Sequence, residues 1–113
     1  IREELHAILK KGFGLTQIYS EYGMTELLSQ AYSISNKKFQ SPPWMKILIR
    51  DIYDPFAVNE IGKGVINIID LANIDSCSFI ATDDIGESYG NNLFDVQGRI
   101  DYTEIRGCSL LSV

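Results

Sequence analysis

The sequence predicts an α+β architecture: a short α/β section over residues 1–38, then a mostly antiparallel, barrel-like β section over residues 39–113. Three observations carry this expectation. The chain opens on a helical pattern that two glycines stop. Its character changes at Phe39, just before the rigid break Pro42-Pro43. Beyond that break, runs rich in Ile and Val alternate with clusters of turn-forming residues.

The elements follow in order. Residues 2–11 set Leu5, Ile8 and Leu9 at helical spacing, with Glu3 and Glu4 early and Lys10 and Lys11 late, as the helix dipole favours. Gly12 and Gly14 end this helix. Residues 15–20, with Ile18 and Tyr19, predict a short strand. Gly23 breaks it, and residues 25–31 predict a short helix capped near Met24 or Thr25. Strands are then predicted at 45–49, 65–71, 78–81 and 93–96. Turns are predicted at 51–55, 59–64 and 86–92, the last with a Gly-Asn-Asn tip. No internal repeat or low-complexity tract interrupts the pattern.

Composition narrows the function classes. A chain of 113 residues that is 45% hydrophobic and 22% charged has the make-up of a globular domain. Ile1 falls inside a helical pattern, which is expected of a piece cut from a longer polypeptide. Fifteen acidic against ten basic residues give a net charge of −5. Nucleic-acid phosphates call for clustered Lys and Arg, and the short runs Lys10-Lys11 and Lys37-Lys38 do not supply that, so no nucleic-acid partner is expected. No apolar run reaches the roughly 18 residues of a membrane span, and no signal-peptide pattern is seen. Cys77 and Cys108 are too few for a disulfide framework and suit a reducing cytoplasm. With one His and no close Cys pair, a zinc site is not expected.

Four segments carry chemistry. In Tyr22-Gly23-Met24-Thr25-Glu26, an aromatic ring, a glycine, a hydroxyl and a carboxylate crowd one predicted strand-to-helix turn. The backbone amides of a helix N-terminus suit phosphate oxygens, a Tyr ring suits a purine face, and a Glu suits Mg²⁺. The plainer reading makes Tyr22 core, Thr25 an N-cap and Glu26 a first-turn acid. In Thr82-Asp83-Asp84-Ile85-Gly86, a carboxylate at a predicted strand end can accept from both hydroxyls of a ribose; acids in a solvated turn are the alternative. In Gly98-Arg99-Ile100-Asp101, Arg99 is a permanent planar cation able to reach ribose or phosphate, or simply a surface ion-pair partner. In Ile105-Arg106-Gly107-Cys108, a thiol beside an Arg is a candidate nucleophile, or a small buried hydrophobe.

Taken in order, Tyr22-Gly23-Met24-Thr25-Glu26, Thr82-Asp83-Asp84-Ile85-Gly86 and Gly98-Arg99-Ile100-Asp101 with the later Arg106-Gly107 resemble the adenylate-forming superfamily, whose patterns are Tyr-Gly-x-Thr-Glu, Thr-Gly-Asp-x-Gly and Gly-Arg-x-Asp with a later Arg-Gly. The resemblance runs from about Ile18 to Gly107. Residues 20–33 and the Ile105–Cys108 ending are most similar to the acyl-protein synthetase branch, known from the bacterial-luminescence fatty-acid reductase complex; phenylacetate-CoA ligase-like enzymes are more distant. The resemblance implies the C-terminal part of an adenylate-forming N-domain. Residues 1–38 would close its α/β subdomain, and residues 39–113 would form the β-rich subdomain with the ribose-binding Asp.

Residue by residue, it implies that Tyr22 faces adenine, that Gly23 belongs to the same nucleotide site, that Thr25 contacts the α-phosphate and that Glu26 binds Mg²⁺. Asp84 would hold the ribose hydroxyls with Arg99 beside it, and Cys108 would carry the acyl group as a thioester. The implied activity is ATP- and magnesium-dependent activation of a carboxylic acid, fatty in this branch, as an acyl-adenylate, with transfer to a thiol. An acyl reductase or acyl carrier is the implied partner. Two other outcomes stand beside it: a ligase using coenzyme A or another diffusible thiol, and a degenerate, non-catalytic assembly domain. Asp83 stands where the pattern has its middle Gly, so either acid is open as the ribose ligand, with alignment favouring Asp84. The interval from Gly98 to Arg106 is one residue shorter than in most ligases. The family's phosphate loop lies upstream of the first segment, so these 113 residues alone are expected to bind nucleotide at most weakly and not to turn over.

Among the other conspicuous residues, Trp44 is expected to be a core or interface aromatic, His6 solvated surface, Cys77 buried and inert, and Gly62-Lys63-Gly64 a hairpin turn rather than a phosphate loop.

Overall fold

The computed structural model describes residues 2–35 and 38–101. Cys108, the expected acyl acceptor, and the Arg106-Gly107 pair lie outside these residues. The chain begins with helix α1, Arg2–Phe13, close to the predicted span. It ends in a capping motif that the sequence encodes: Gly14 adopts φ 66°, and the Leu15 amide donates back to the Lys10 carbonyl at 3.0 Å. No residue of α1 is buried.

Among the described residues eight strands follow: β1 Glu21–Tyr22, β2 Ala31–Ser35, β3 Lys38–Gln40, β4 Met45–Arg50, β5 Val58–Asn59, β6 Gly62–Asp70, β7 Phe79–Gly90 and β8 Leu93–Arg99. They form a single sheet in the order β1-β2-β3-β8-β7-β6-β4-β5, and every pairing is antiparallel. The α+β expectation holds at this level. The barrel-like closure does not: the sheet is open, with the two-residue strands β1 and β5 at its edges. The early strands β1 and β2 join the same antiparallel sheet as the later ones.

Register explains the core. Alternation on β4 puts Met45, Ile47 and Ile49 on one face, opposite Asp70, Ile68 and Ile66 of β6. Phe39 pairs with Phe94, and Ile80 with Ile68, on the same side. The segment after β1 adds Leu27 and, partly buried, Met24 to this cluster. Among the described residues, no helix is long and apolar enough to cross a membrane.

Four local expectations are corrected. Residues 25–31 form turns that lead into β2 rather than a helix. The cause lies far along the chain: the buried Asp70 carboxylate accepts the amides of Leu28 (3.0 Å) and Ser29 (2.9 Å) and the Ser29 hydroxyl (2.7 Å). The predicted strand at 15–20 does not form: those residues are irregular, and the first strand, β1, starts only at Glu21. Gly62-Lys63-Gly64 opens β6 instead of turning. The turn at 86–92 shortens to Asn91 and Asn92, both at positive φ (54° and 61°), which suits a two-residue hairpin between β7 and β8.

Candidate functional site

Two irregularities in β7 build the candidate site. Between the pairs Asn67↔Ala81 and Val65↔Ile85, β6 contributes only Ile66 while β7 contributes Thr82, Asp83 and Asp84. The surplus makes a bulge, a device that re-aims side chains at the margin of a sheet. On the other edge of β7, Ile85 pairs with Gly98 but Gly86 with Val96, so β8 bulges at Gln97. Gly86 is required there, since a β-carbon would be driven into the Asp95 carbonyl and the Ile66 side chain. The third segment begins at the end of β8, where Arg99 lies in register with Asp84. Asp84 sits within β7 rather than at a strand end.

These features open a cleft of about 480 Å³ lined by Tyr22, Gly23, Glu26, Thr82, Asp84 and Arg99, with Met24, Ile80, Ala81 and Asp83. The Tyr22 hydroxyl donates to Asp84 Oδ2 at 2.6 Å. Arg99 Nε lies 3.6 Å from Asp84 Oδ1, and its Nη2 lies 4.0 Å from Asp83 Oδ2. The Asp84 side chain is only 15% accessible whereas that of Arg99 is 75% accessible. The carboxylate is therefore fixed and the guanidinium is free to adjust. The Asp84 amide donates to Thr82 Oγ1 at 3.0 Å, which ties the bulge together.

Tyr22 packs edge-on against Phe94 at 5.4 Å and tilted against Phe39 at 5.9 Å. Its ring is buried, and the phenol is held well above its ordinary value, chiefly by burial and then by the Asp84 hydrogen bond and charge. It therefore acts as a fixed donor toward Asp84. Gly23 and Glu26 both line the cleft, and Glu26 is exposed. Thr25 is exposed and does not line it. No helix N-terminus follows the Tyr22–Glu26 turn, so helix amides are not available there for phosphate. Among the described residues, no three His, Cys, Asp or Glu side chains gather in a cation-binding cluster.

Arg50, singled out by no sequence motif, lies beneath this bulge. Its guanidinium is buried and donates to the Thr82 carbonyl at 2.6 Å, to Asn67 Oδ1 at 2.6 Å and to the Ile66 carbonyl at 3.4 Å. The only sequence signal was a charged residue completing the alternating strand Met45-Lys46-Ile47-Leu48-Ile49.

The remaining singled-out residues lie elsewhere. Cys77 is exposed, contrary to the expected buried thiol, because it sits in the loop between Asn73 and β7. Trp44 is about half exposed and donates from Nε1 to Ser29 Oγ at 2.8 Å. His6 is half-buried, with Nε2 2.8 Å from Ser20 Oγ, rather than fully solvated. A larger hollow of about 780 Å³ lies at the opposite end of β8, among Tyr32, Pro42, Trp44 and Asn92; its lining holds no carboxylate, ammonium, imidazole or thiol.

Comparisons with models of protein families, with characterised proteins and with solved structures find no match to this chain.

Proposed function

We propose that the chain forms the ribose-side wall of an ATP-dependent enzyme that activates a carboxylic acid as its acyl-adenylate. The observation that supports this reading is the convergence of three segments, distant in sequence, on one polar cleft: Tyr22, Gly23 and Glu26 from the first, Asp83 and Asp84 from the second, and Arg99 from the third. A half-buried carboxylate held by the Tyr22 hydroxyl, with an exposed cation beside it, suits a vicinal diol, because each ribose hydroxyl can donate to Asp84 while Arg99 balances its charge.

In this reading a carboxylate attacks the α-phosphorus of ATP; pyrophosphate leaves, and the acyl group remains joined to AMP. A thiolate then attacks the acyl carbon of the mixed anhydride, forming a thioester and releasing AMP. Magnesium, when bound, neutralises charge on the departing pyrophosphate. Glu26, exposed at the cleft, would supply one oxygen ligand to the ion. Orientation of the nucleotide by Asp84 is this chain's main contribution to rate.

The test is an AMP titration of the isotope-labelled chain followed by NMR. Weak, saturable shifts are expected at residues 81–84 and at Arg99, lost in Asp84→Ala; shifts that survive Asp84→Ala, or none near the cleft, would overturn the reading. The acceptor is resolved separately by incubating the full-length protein with ATP and labelled fatty acid. Hydroxylamine-sensitive label abolished by Cys108→Ala identifies self-acylation, and its absence identifies a diffusible thiol.

A further inference from the structure

A strand that bulges loses ladder hydrogen bonds, and the orphaned groups must find partners. At the β7 bulge the partners come from side chains. The Ile66 carbonyl accepts from Thr82 Oγ1 at 2.8 Å and from Arg50 Nη1 at 3.4 Å. The Thr82 carbonyl accepts from Arg50 Nη2 at 2.6 Å. Arg50 belongs to β4, on the far side of β6 from β7, so its fork spans three strands. Asn67 Oδ1, at 2.6 Å, holds the fork in place.

No carboxylate lies within ion-pairing distance of Arg50 among the described residues; its hydrogen-bond partners there are two backbone carbonyls and an amide oxygen. A cation buried without a counter-charge is costly, and packing alone would be met by an apolar residue. What the guanidinium supplies that an apolar residue cannot is a planar pair of donors matched to the displaced carbonyls. From there a short relay leads to the cleft. Arg50 and Thr82 share Ile66 as a common acceptor, Thr82 Oγ1 takes the Asp84 amide at 3.0 Å, and Asp84 Oδ2 takes the Tyr22 hydroxyl at 2.6 Å.

We propose that Arg50 is the positioning residue of the cleft, fastening the bulge that carries Thr82, Asp83 and Asp84 so that Asp84 meets Tyr22 and a bound ribose at a fixed angle. The inference rests on the reading above only in taking this cleft as the binding site.

The experiment uses the 113-residue chain. Amide exchange and the Tyr22 and Asp84 side-chain resonances are followed in Arg50→Met, Arg50→Lys, Thr82→Val and Thr82→Ser. In Arg50→Met, the Asp84 amide is expected to exchange at least tenfold faster and the Tyr22 and Asp84 side-chain signals to move, while the amides of 45–49 keep their protection. Arg50→Lys, which keeps charge but not the fork, shows the same changes at smaller size. Thr82→Val reproduces the Asp84 effect and Thr82→Ser does not. A uniform loss of protection with Tyr22 and Asp84 signals in place would reduce Arg50 to a purely structural role and overturn the proposal, as would an unaltered Asp84 in Thr82→Val. Should Arg50→Met fail to fold, Arg50→Lys decides: unchanged Tyr22 and Asp84 signals count against. AMP titration of the same samples reads nucleotide binding independently, so a wild-type chain blind to AMP sinks the nucleotide reading and leaves the Arg50 relay to stand or fall on the exchange data.

Discussion

The Tyr22 hydroxyl and Asp84 Oδ2, 62 positions apart in the chain, meet at 2.6 Å in the floor of the cleft. A hydrogen bond to a largely buried carboxylate is worth about 1.5–3 kcal/mol. Tyr22→Phe is therefore expected to lower stability by about 2 kcal/mol in urea unfolding, with an unchanged slope. The alkaline limb gives a second readout. The Tyr22 phenol is raised above its ordinary value of about 10. The unfolded chain thus loses that proton first, so stability is full below about pH 10 and falls as pH rises further. Tyr89 is raised in the same direction, by desolvation and then Glu87, so Tyr89→Phe serves as background. Tyr22→Phe should flatten the remaining slope; an alkaline loss equal to that of the parent would refute the assignment.

Asp70 governs the other end of the pH scale. Burial pushes its carboxyl up, but the Ser29 hydroxyl and the amides of Ser29, Leu28 and Ala72 outweigh that, and the net shift is downward. A lowered folded value contributes stability that is present above the unfolded pKa and is lost as pH falls through the folded one. Stability should therefore decline below about pH 4. Asp70→Asn, which presents donors to donors, should cost on the order of 3 kcal/mol at neutral pH and weaken the acid limb. Equilibrium unfolding across pH 2–7 measures both.

Two glycines in the singled-out segments should respond oppositely to a methyl group. Gly86 has the Asp95 backbone and Ile66 in the way, whereas a methyl on Gly98 meets nothing within 4 Å. Gly86→Ala is expected to cost about 3 kcal/mol, toward the upper end for overpacking, and Gly98→Ala less than about 0.5 kcal/mol. Thermal melts of the pair decide it, and equal losses would contradict the register at Gln97.

Arg99 separates function from stability. Its side chain is three-quarters accessible, so its pairs with Asp83 and Asp84 are screened, and Arg99→Ala should change folding stability by less than about 0.5 kcal/mol. The AMP-induced shifts at residues 81–84 should nevertheless weaken severalfold. A large stability loss with undiminished shifts would reassign Arg99 to the scaffold.

Much of this was legible in local pattern. The opening helix, β4 and the presence of the later strands followed from periodicity and turn residues, because those signals act between near neighbours. The turn at 25–31 misled for a physical reason. Thr25, Glu26, Leu27, Leu28 and Ala31 are a sound helix start in isolation, yet Asp70 captures the Leu28 and Ser29 amides from more than 40 positions away. Propensity yields to such tertiary contacts. The lengths of β7 and β8 were underestimated because Asp83-Asp84 and the 86–92 cluster read as turn, whereas the acids ride on a bulge within β7, Gly86 fits a close strand approach, and β8 runs on past a bulge at Gln97. The residues that meet in the cleft were named from their segments, but the bulge that joins them, and Arg50 within it, depends on register that no local pattern encodes.

The long-range closure between Tyr22 and Asp84 also bears on the order of folding. The strands β4 to β8 pair mainly with near neighbours in the chain, but the cleft needs β1 to reach across to β7, and β3 to dock beside β8 through Phe39 and Phe94. Such loops close late, because their entropy is recovered only once the hairpins they join are in place. A sheet without that closure would have strands and a core but no cleft, so a ligand that binds the cleft stabilises only the fully closed molecule.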